Sequence, residues 1–258
     1  MNKPTKLLAV GYWLLATACA TVPTGESVLS DENVREYAAL LRMADARVLD
    51  TAVIDRGLAS TSTAVRAEAA RAVAQVGRAK AAPRIAALRS LLRGTGAEVG
   101  AQAAYSLGLL RDTASVPDLV EALTRSAPVS REAAWALGQI GNAARAAIVD
   151  ALARGHQDSG TRLQLLLASA KLSPVPAQSV IDYFDDKDPS VVWAAAYAIS
   201  RTRTAPGVRA LWSLGDSLVA NRPVLPRSDT VATSDPMRAP YIDPESAPYR
   251  IRAEIARV

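Results

Sequence analysis

The sequence predicts an all-α protein, built as an α-solenoid of about six helix–turn–helix repeats. The first observation is composition: of 258 residues, 50% are hydrophobic but only 5% are aromatic. The second is alanine, which fills about a fifth of the chain. Alanine is the best helix former, and its small side chain lets helices pack closely. The third is a set of similar segments that recur along the chain at nearly constant spacing.

Composition and charge exclude several classes of protein. A single Cys excludes an intramolecular disulfide framework and a Cys-based zinc site, and a single His excludes a multi-histidine metal centre. The formal charge of +5 is mild, and the basic residues are spread along the chain. A nucleic-acid-binding protein normally shows a clustered basic stripe. The sequence therefore predicts no metal, no cofactor and no nucleic-acid partner.

The first residues have the pattern of a targeting segment. Lys3 and Lys6 form a short positive region, an apolar run follows over 7–18, and Cys19 comes directly after it. Twelve apolar residues are too few to span a bilayer, which needs about 20. They have the length of the apolar part of a signal peptide. We therefore predict a signal peptide over 1–18 and a linker over 19–30.

The stretch from Ala16 to Cys19 resembles the lipobox of bacterial lipoproteins. That resemblance implies cleavage before Cys19, attachment of lipid to its thiol, and a location in the bacterial cell envelope on a membrane, facing the periplasm. The sequence departs from the usual pattern because Leu15 lies four residues before the Cys and Ala16 takes the preferred leucine position. Simple cleavage after an alanine is the alternative.

Five segments align without gaps along the middle of the chain, and a sixth, from Val34, fits more loosely. Their starts are 31, 34, 30, 32 and 30 residues apart, at Val34, Val65, Val99, Val129, Thr161 and Val191. Apolar or small residues recur at the first, fifth, eighth or ninth, and twelfth places, which form one face of a 3.6-residue helix. The tenth place is small in most copies, as in Gly108 and Gly138. Small residues there predict close approach of a neighbouring helix.

A second helix precedes each of these segments. Counting back from the repeats gives another aligned apolar set, at Ile54, Ile85, Leu119, Val149, Ile181 and Leu211. Short polar loops separate the two helices. The repeating unit is therefore a helix–turn–helix of about 31 residues, and the array is predicted over 31–218.

The segment from Val129 to Gly141 approximates the pattern D-x-x-V-R-x-x-A-A-x-A-L-G-x-I-G. It resembles the short HEAT-like repeats named after phycobilisome lyases. The resemblance implies an α-solenoid with the second helix of each unit on the concave side. Tetratricopeptide repeats have a similar period, but their Trp, Leu, Gly and Tyr signature is absent. The motif residues are packing residues, so the resemblance implies a fold and leaves the function open.

The fourth, seventh and eleventh places of each second helix point away from the apolar face. There the sequence places a row of aromatic, aliphatic and polar residues that we name the concave ladder. Its members are Arg71, Tyr105, Trp135, Leu167, Tyr197, Glu132, Gln139 and Arg201, with Trp193 near its end. Exposed Tyr, Trp and Arg anchor protein interfaces, so we predict that this row binds a protein partner. The alternative is that the rings fill space between repeats, and the two roles are compatible.

The carboxyl-terminal part has a different composition. Six prolines lie between 223 and 248 among Ser, Thr and Asp, which excludes regular helix or sheet interior there. We predict an extended tail over 219–258, weakly helical from Arg250 to Val258.

These features predict a non-catalytic, membrane-anchored scaffold for a protein partner, one version being an accessory subunit of a membrane or periplasmic complex. The alternative is an enzyme-associated chain, either similar to a bilin lyase or the repeat part of a peptidyl-prolyl isomerase. His156 lies in a loop beside Asp158, but no nucleophile motif accompanies it. No catalytic residue is predicted.

Overall fold

A computed structural model describes residues 30–256, except 47, 49, 95, 157, 203–204 and 221–246. The predicted signal peptide, Cys19 and all but the last residue of the linker lie outside the described residues. All regular secondary structure in the described part is helical.

Fourteen α-helices follow one another in the described residues. In chain order they are α1 Asp31–Ala46, α2 Thr51–Ala59, α3 Thr63–Gln75, α4 Arg78–Ala81, α5 Ile85–Arg93, α6 Ala97–Leu109, α7 Val116–Ala122, α8 Ala127–Ile140, α9 Arg145–Arg154, α10 Ser159–Ser169, α11 Ala177–Ile181, α12 Pro189–Ser200, α13 Ala205–Ala220 and α14 Ala247–Ala256. Short 3₁₀ turns precede α5, α7 and α9.

The helices form two layers, as an α-solenoid requires. The inner layer consists of α1, α3, α6, α8, α10, α12 and α14, each packed against the inner helix before it and the one after it. The outer layer consists of α2, α5, α7, α9, α11 and α13. Inner helices contact each other far more extensively than outer helices do, so the array curves toward the inner layer. The predicted fold class is confirmed.

Aspartates set the starts of three helices. Asp50, Asp158 and Asp188 stand at the N-caps of α2, α10 and α12, and their carboxylates accept backbone N–H bonds of 2.7 to 3.2 Å. These bonds satisfy amide groups that have no partner within the helix. In α12, Pro189 fills the first helical position, where its missing N–H does no harm.

Three of the six predicted apolar places of the outer layer are buried, and the other three, Ile85, Val149 and Ile181, are only half-buried. Ile54 and Leu119 of the outer layer are fully buried, as their places in the repeat predict. In α9, however, the fully buried residue is Ile148, and Val149 is only half-buried. Successive residues of a helix differ by about 100° in direction, so α9 enters the core one residue earlier than the alignment indicates. The same shift occurs in α11.

Inner helices approach each other closely at the small residues of the tenth place. A Cβ atom added to Gly108 of α6 would lie 2.7 Å from the Cα atom of Ala136 in α8. One added to Gly138 of α8 would lie 2.7 Å from the Cβ atom of Ala168 in α10. Glycine is therefore required for contact rather than for backbone conformation at both crossings.

Arginine–aspartate pairs join consecutive repeats. Arg131 of α8 donates to both carboxylate oxygens of Asp158, at 2.9 and 2.6 Å. Arg162 of α10 makes the same forked contact with Asp186, at 2.7 and 3.0 Å. Bidentate pairs have a defined geometry, so each one fixes the orientation of one repeat against the next.

The carboxyl-terminal end differs from the predicted extended tail. Residues 247–256 form α14, which packs against α12 where the next inner helix of the array would lie. Ile251 is buried, and Ser200 Oγ donates to the buried Glu254 carboxylate at 3.0 Å. The weak helical pattern near Arg250 therefore marks an inner helix, and the proline-rich residues 221–246 separate it from its outer helix α13.

We expect Gly138→Ala to destabilise the protein by about 1–3 kcal/mol, because the added methyl group would collide with Ala168. This cost exceeds the gain of up to about 1 kcal/mol in helix propensity. Urea unfolding followed by circular dichroism measures the difference. Gly96→Ala is the control, since its Cβ would meet only Val99 at ordinary contact distance, 3.8 Å. An unchanged midpoint for Gly138→Ala would contradict the close crossing.

Candidate protein-binding surface

The concave ladder lies on the inner layer, with members on α3, α6, α8, α10 and α12. The central residues of the row, Tyr105, Trp135, Leu167 and Tyr197, are half-buried. Leu109 adds a side chain that is 43% exposed beside them. The inner helices therefore present a continuous row that is partly apolar and accessible from one side.

Tyr105 and Trp135 form the centre of this row. Their rings stack with centroids 4.8 Å apart and planes inclined by 20°, so the contact joins α6 to α8. Lys171, two residues beyond the end of α10, lies over the Trp135 ring, 5.9 Å from its centroid. With its amide oxygen facing these donors, Gln139 accepts from Trp135 Nε1 at 3.1 Å and from Lys171 Nζ at 2.8 Å. The rings thus fill space between repeats and stay accessible from the concave side.

Lys171 was not singled out as a binding residue by the sequence. It stands at the eleventh place of its repeat, equivalent to Gln139 and Arg201. The repeat alignment could therefore have identified it as a ladder residue. Burial, followed by repulsion from Arg111, lowers the pKa of Lys171.

A second aromatic contact lies on α12. Tyr197 stacks on Trp193 with centroids 5.5 Å apart, and Arg201 lies 5.7 Å from the Tyr197 centroid. Arg201 Nη1 also approaches the Tyr197 hydroxyl at 3.5 Å. Both contacts stay within one helix, so this part of the row does not bridge repeats.

Trp193 is packed differently from the surface position we predict for it. Its side chain is only 9% exposed and belongs to the hydrophobic core. It occupies the third place of its repeat, where Ala67, Ala101 and Leu163 are also buried. The third place points toward the following repeat. In α8 the third-place residue is Arg131, and its side chain reaches Asp158 of the next repeat. Because the equivalent places are mostly apolar, the sequence alone could have predicted that Trp193 is buried.

The amino-terminal end of the ladder contains an internal ion pair. Arg71 donates from Nε and Nη2 to the two carboxylate oxygens of Glu68, at 3.0 and 2.7 Å. Burial raises the pKa of Tyr37, and the neighbouring Glu68 raises it further. Glu68 is 5% exposed, and Arg71 compensates its charge within α3.

Glu132 has no such compensation. It occupies the same fourth place in α8 that Glu68 occupies in α3, but Trp135 stands where α3 has Arg71. The contacts of the described residues include no hydrogen bond and no ion pair to the Glu132 carboxylate. Burial raises its pKa, because the ionised form loses hydration. The concave surface therefore holds a partly desolvated, uncompensated negative charge beside its aromatic centre.

His156 lies in a hollow at the edge of the array, away from the ladder. The hollow has a volume of about 700 Å³ and is lined by the turns around α8 and α10. His156 Nε2 is buried without a hydrogen-bond partner, and burial followed by repulsion from Arg154 lowers its pKa. The hydrogen bond from Arg131 holds the pKa of Asp158 well below its usual range. The Asp158 oxygens accept hydrogen bonds from Arg131 and Thr161.

Two negative findings apply to the part of the chain that the structure describes. None of its helices has the length and apolar character needed to cross a bilayer. No three of its His, Cys, Asp or Glu side chains come together as a metal-binding group.

We expect Glu132→Gln to raise the free energy of unfolding at pH 7, because it removes an uncompensated charge without changing shape. The raised pKa means that folding penalises the ionised form, so the penalty is full at neutral pH. It disappears as the pH falls below the unfolded-state pKa of about 4.3. The two proteins should therefore differ less at pH 4 than at pH 7.

Urea unfolding at both values tests this expectation. Glu121→Gln, on the exposed face of the outer helix α7, is the matched control and should leave stability unchanged. A loss of stability in Glu132→Gln at pH 7 would mean that the carboxylate has a partner within the chain.

The chain is similar to proteins built from helical repeats. A family model for HEAT repeats matches residues 51–134 and 85–170. A solved complex of CpcE and CpcF of phycocyanin lyase from Nostoc sp. PCC7120 is similar, with 19% sequence identity, coverage of 89% of this chain and 90% of that chain, and a TM-score of 0.46. No curated protein sequence matches the chain. The matched residues include the pairs α2–α3 to α9–α10, so this part of the array matches HEAT repeats.

Proposed function

We propose that this HEAT-repeat array is a non-catalytic scaffold that binds a protein partner along the concave ladder. The observation that carries the proposal is the central cluster of Tyr105, Trp135, Gln139 and Lys171. Stacking and hydrogen bonds hold these side chains in place before any partner arrives. A preformed surface loses little conformational entropy on binding, and Trp and Tyr supply most of the contact energy in protein interfaces.

We further propose that a lipid on Cys19 holds the scaffold at a membrane, facing the periplasm of a bacterial envelope. The support is the amino-terminal sequence, with two lysines, an apolar run of signal-peptide length and the only Cys of the chain directly after it. A scaffold held in this way acts as an accessory subunit that docks on a membrane or periplasmic protein complex.

Trp135→Ala should weaken binding of the partner by about 2 kcal/mol or more, the loss typical of a central aromatic residue. The measurement is quantitative co-purification from membranes in mild detergent, comparing the variant with the wild-type chain. Trp212→Ala is the matched control, since Trp212 is 61% exposed on the outer helix α13. If Trp135→Ala retains every partner at the wild-type level, the ladder is not the binding surface.

Cys19→Ser should release the protein from membranes, because serine has no thiol to accept the lipid. Even a single acyl chain gives only marginal membrane binding. A protein that has lost the whole lipid group should therefore move mostly to the soluble fraction. Fractionation followed by immunodetection measures the shift. Membrane association at the wild-type level in this variant would show that something other than lipid holds the protein.

A further inference from the structure

The uncompensated carboxylate of Glu132 is the feature of the concave surface that the fold does not explain. Its equivalents on the neighbouring inner helices are the neutral amides Gln102 and Gln164. The nearby cations are engaged elsewhere, since Lys171 donates to Gln139 and Arg131 pairs with Asp158. An ionised carboxylate that is partly buried and has no cation beside it is typical of a binding site. It is less typical of a residue that only supports the fold.

The chain contains its own example of what such a carboxylate binds. In α3 the equivalent Glu68 receives the forked guanidinium of Arg71, with both carboxylate oxygens used. In α8 the position of that arginine is taken by Trp135. The fourth-place carboxylate therefore has a compensating guanidinium in α3. In α8 the aromatic ring of Trp135 replaces that guanidinium.

The rings beside Glu132 suit the same type of ligand. This surface already places two cations over aromatic rings, Lys171 over Trp135 and Arg201 over Tyr197. Tyr105 and Lys171 already lie against the Trp135 ring, so an incoming planar guanidinium would contact the edge of the rings while it donates two parallel hydrogen bonds to the carboxylate. A lysine ammonium offers only the point charge, so arginine matches the combination of Glu132 and Trp135 better.

We propose that Glu132, beside the stacked rings of Tyr105 and Trp135, receives an arginine side chain from an extended segment of the protein partner. This inference rests on the proposed function, because it identifies the chemistry of the partner at the same surface. Inner helices lie about 8–10 Å apart, and a segment in the extended polyproline II conformation advances about 9 Å in three residues, which returns its side chains to the same face. Such a segment places one side chain on each successive helix and an apolar one over Leu109.

The test uses purified full-length chain and synthetic peptides. An immobilised array of decapeptides carries mixed residues around a fixed central position, which is arginine, citrulline, lysine or glutamate. Citrulline has the shape of arginine without its charge. We expect arginine-centred peptides to bind at least tenfold more tightly than citrulline-centred ones, since a charge-assisted pair is lost.

Glu132→Gln should abolish the preference for arginine and leave the weaker, apolar part of binding. The variant is expected to fold at least as stably as the wild type, so lost affinity cannot be assigned to unfolding. Glu121→Gln on the outer layer should keep the full preference. Glu132→Arg should reverse the preference toward glutamate-centred peptides, because the sign of the charge is exchanged.

The outcomes separate this inference from the proposed function. Equal binding of arginine and citrulline peptides overturns the inference, as does an arginine preference that survives Glu132→Gln. Either result leaves the scaffold proposal to be judged by Trp135→Ala. Failure of every peptide overturns the inference, and the scaffold proposal fails with it if Trp135→Ala also retains its partners. A dimer in sedimentation that Glu132→Gln dissociates would assign the site to a second copy of the chain, which also overturns the inference.

Discussion

Close contact between inner helices is the constraint on which the rest of this molecule depends. At Gly108 and Gly138 the backbones approach until no Cβ atom fits between them, and alanines occupy the facing positions. Outer helices carry larger Leu and Ile side chains at their contacts and remain further apart. The difference in spacing bends the array, and the bend places the ladder on the inside of the curve. A small side chain at one repeated place thus determines where the ladder lies.

Polar contacts orient the repeats that apolar packing brings together. Hydrophobic burial has no direction, so stacked helices could rotate or slide without much loss. The forked pairs from Arg131 to Asp158 and from Arg162 to Asp186 have one geometry each, and Asp158 also caps α10. Partly exposed ion pairs contribute little to stability. Their effect is to fix the angle between neighbouring units, and with it the alignment of the ladder residues.

The ladder residues have a structural role, and the proposed binding role falls on the same side chains. Tyr105 and Trp135 join two repeats by stacking, yet both remain accessible. On this surface Arg71 pairs with Glu68, and Lys171 donates a hydrogen bond to the neutral amide of Gln139. Glu132 is the exception among the described residues. Burial raises the pKa of Glu132, and its equivalents Gln102 and Gln164 carry no charge at this place.

The sequence by itself determined the repeat, the two helices of each unit and the places that face the core or the concave side. It could do so because each unit contacts only its neighbours, so local periodicity contains most of the packing. It did not determine the burial of Trp193, the one-residue shift in α9 and α11, or the role of α14 as an inner helix beyond the proline-rich segment. Nor could it establish that Arg71 compensates Glu68 while Glu132 has no cation. These features depend on distances between side chains of adjacent repeats, and only the tertiary structure decided them, because a periodic pattern gives direction around a helix but not the partner that lies there.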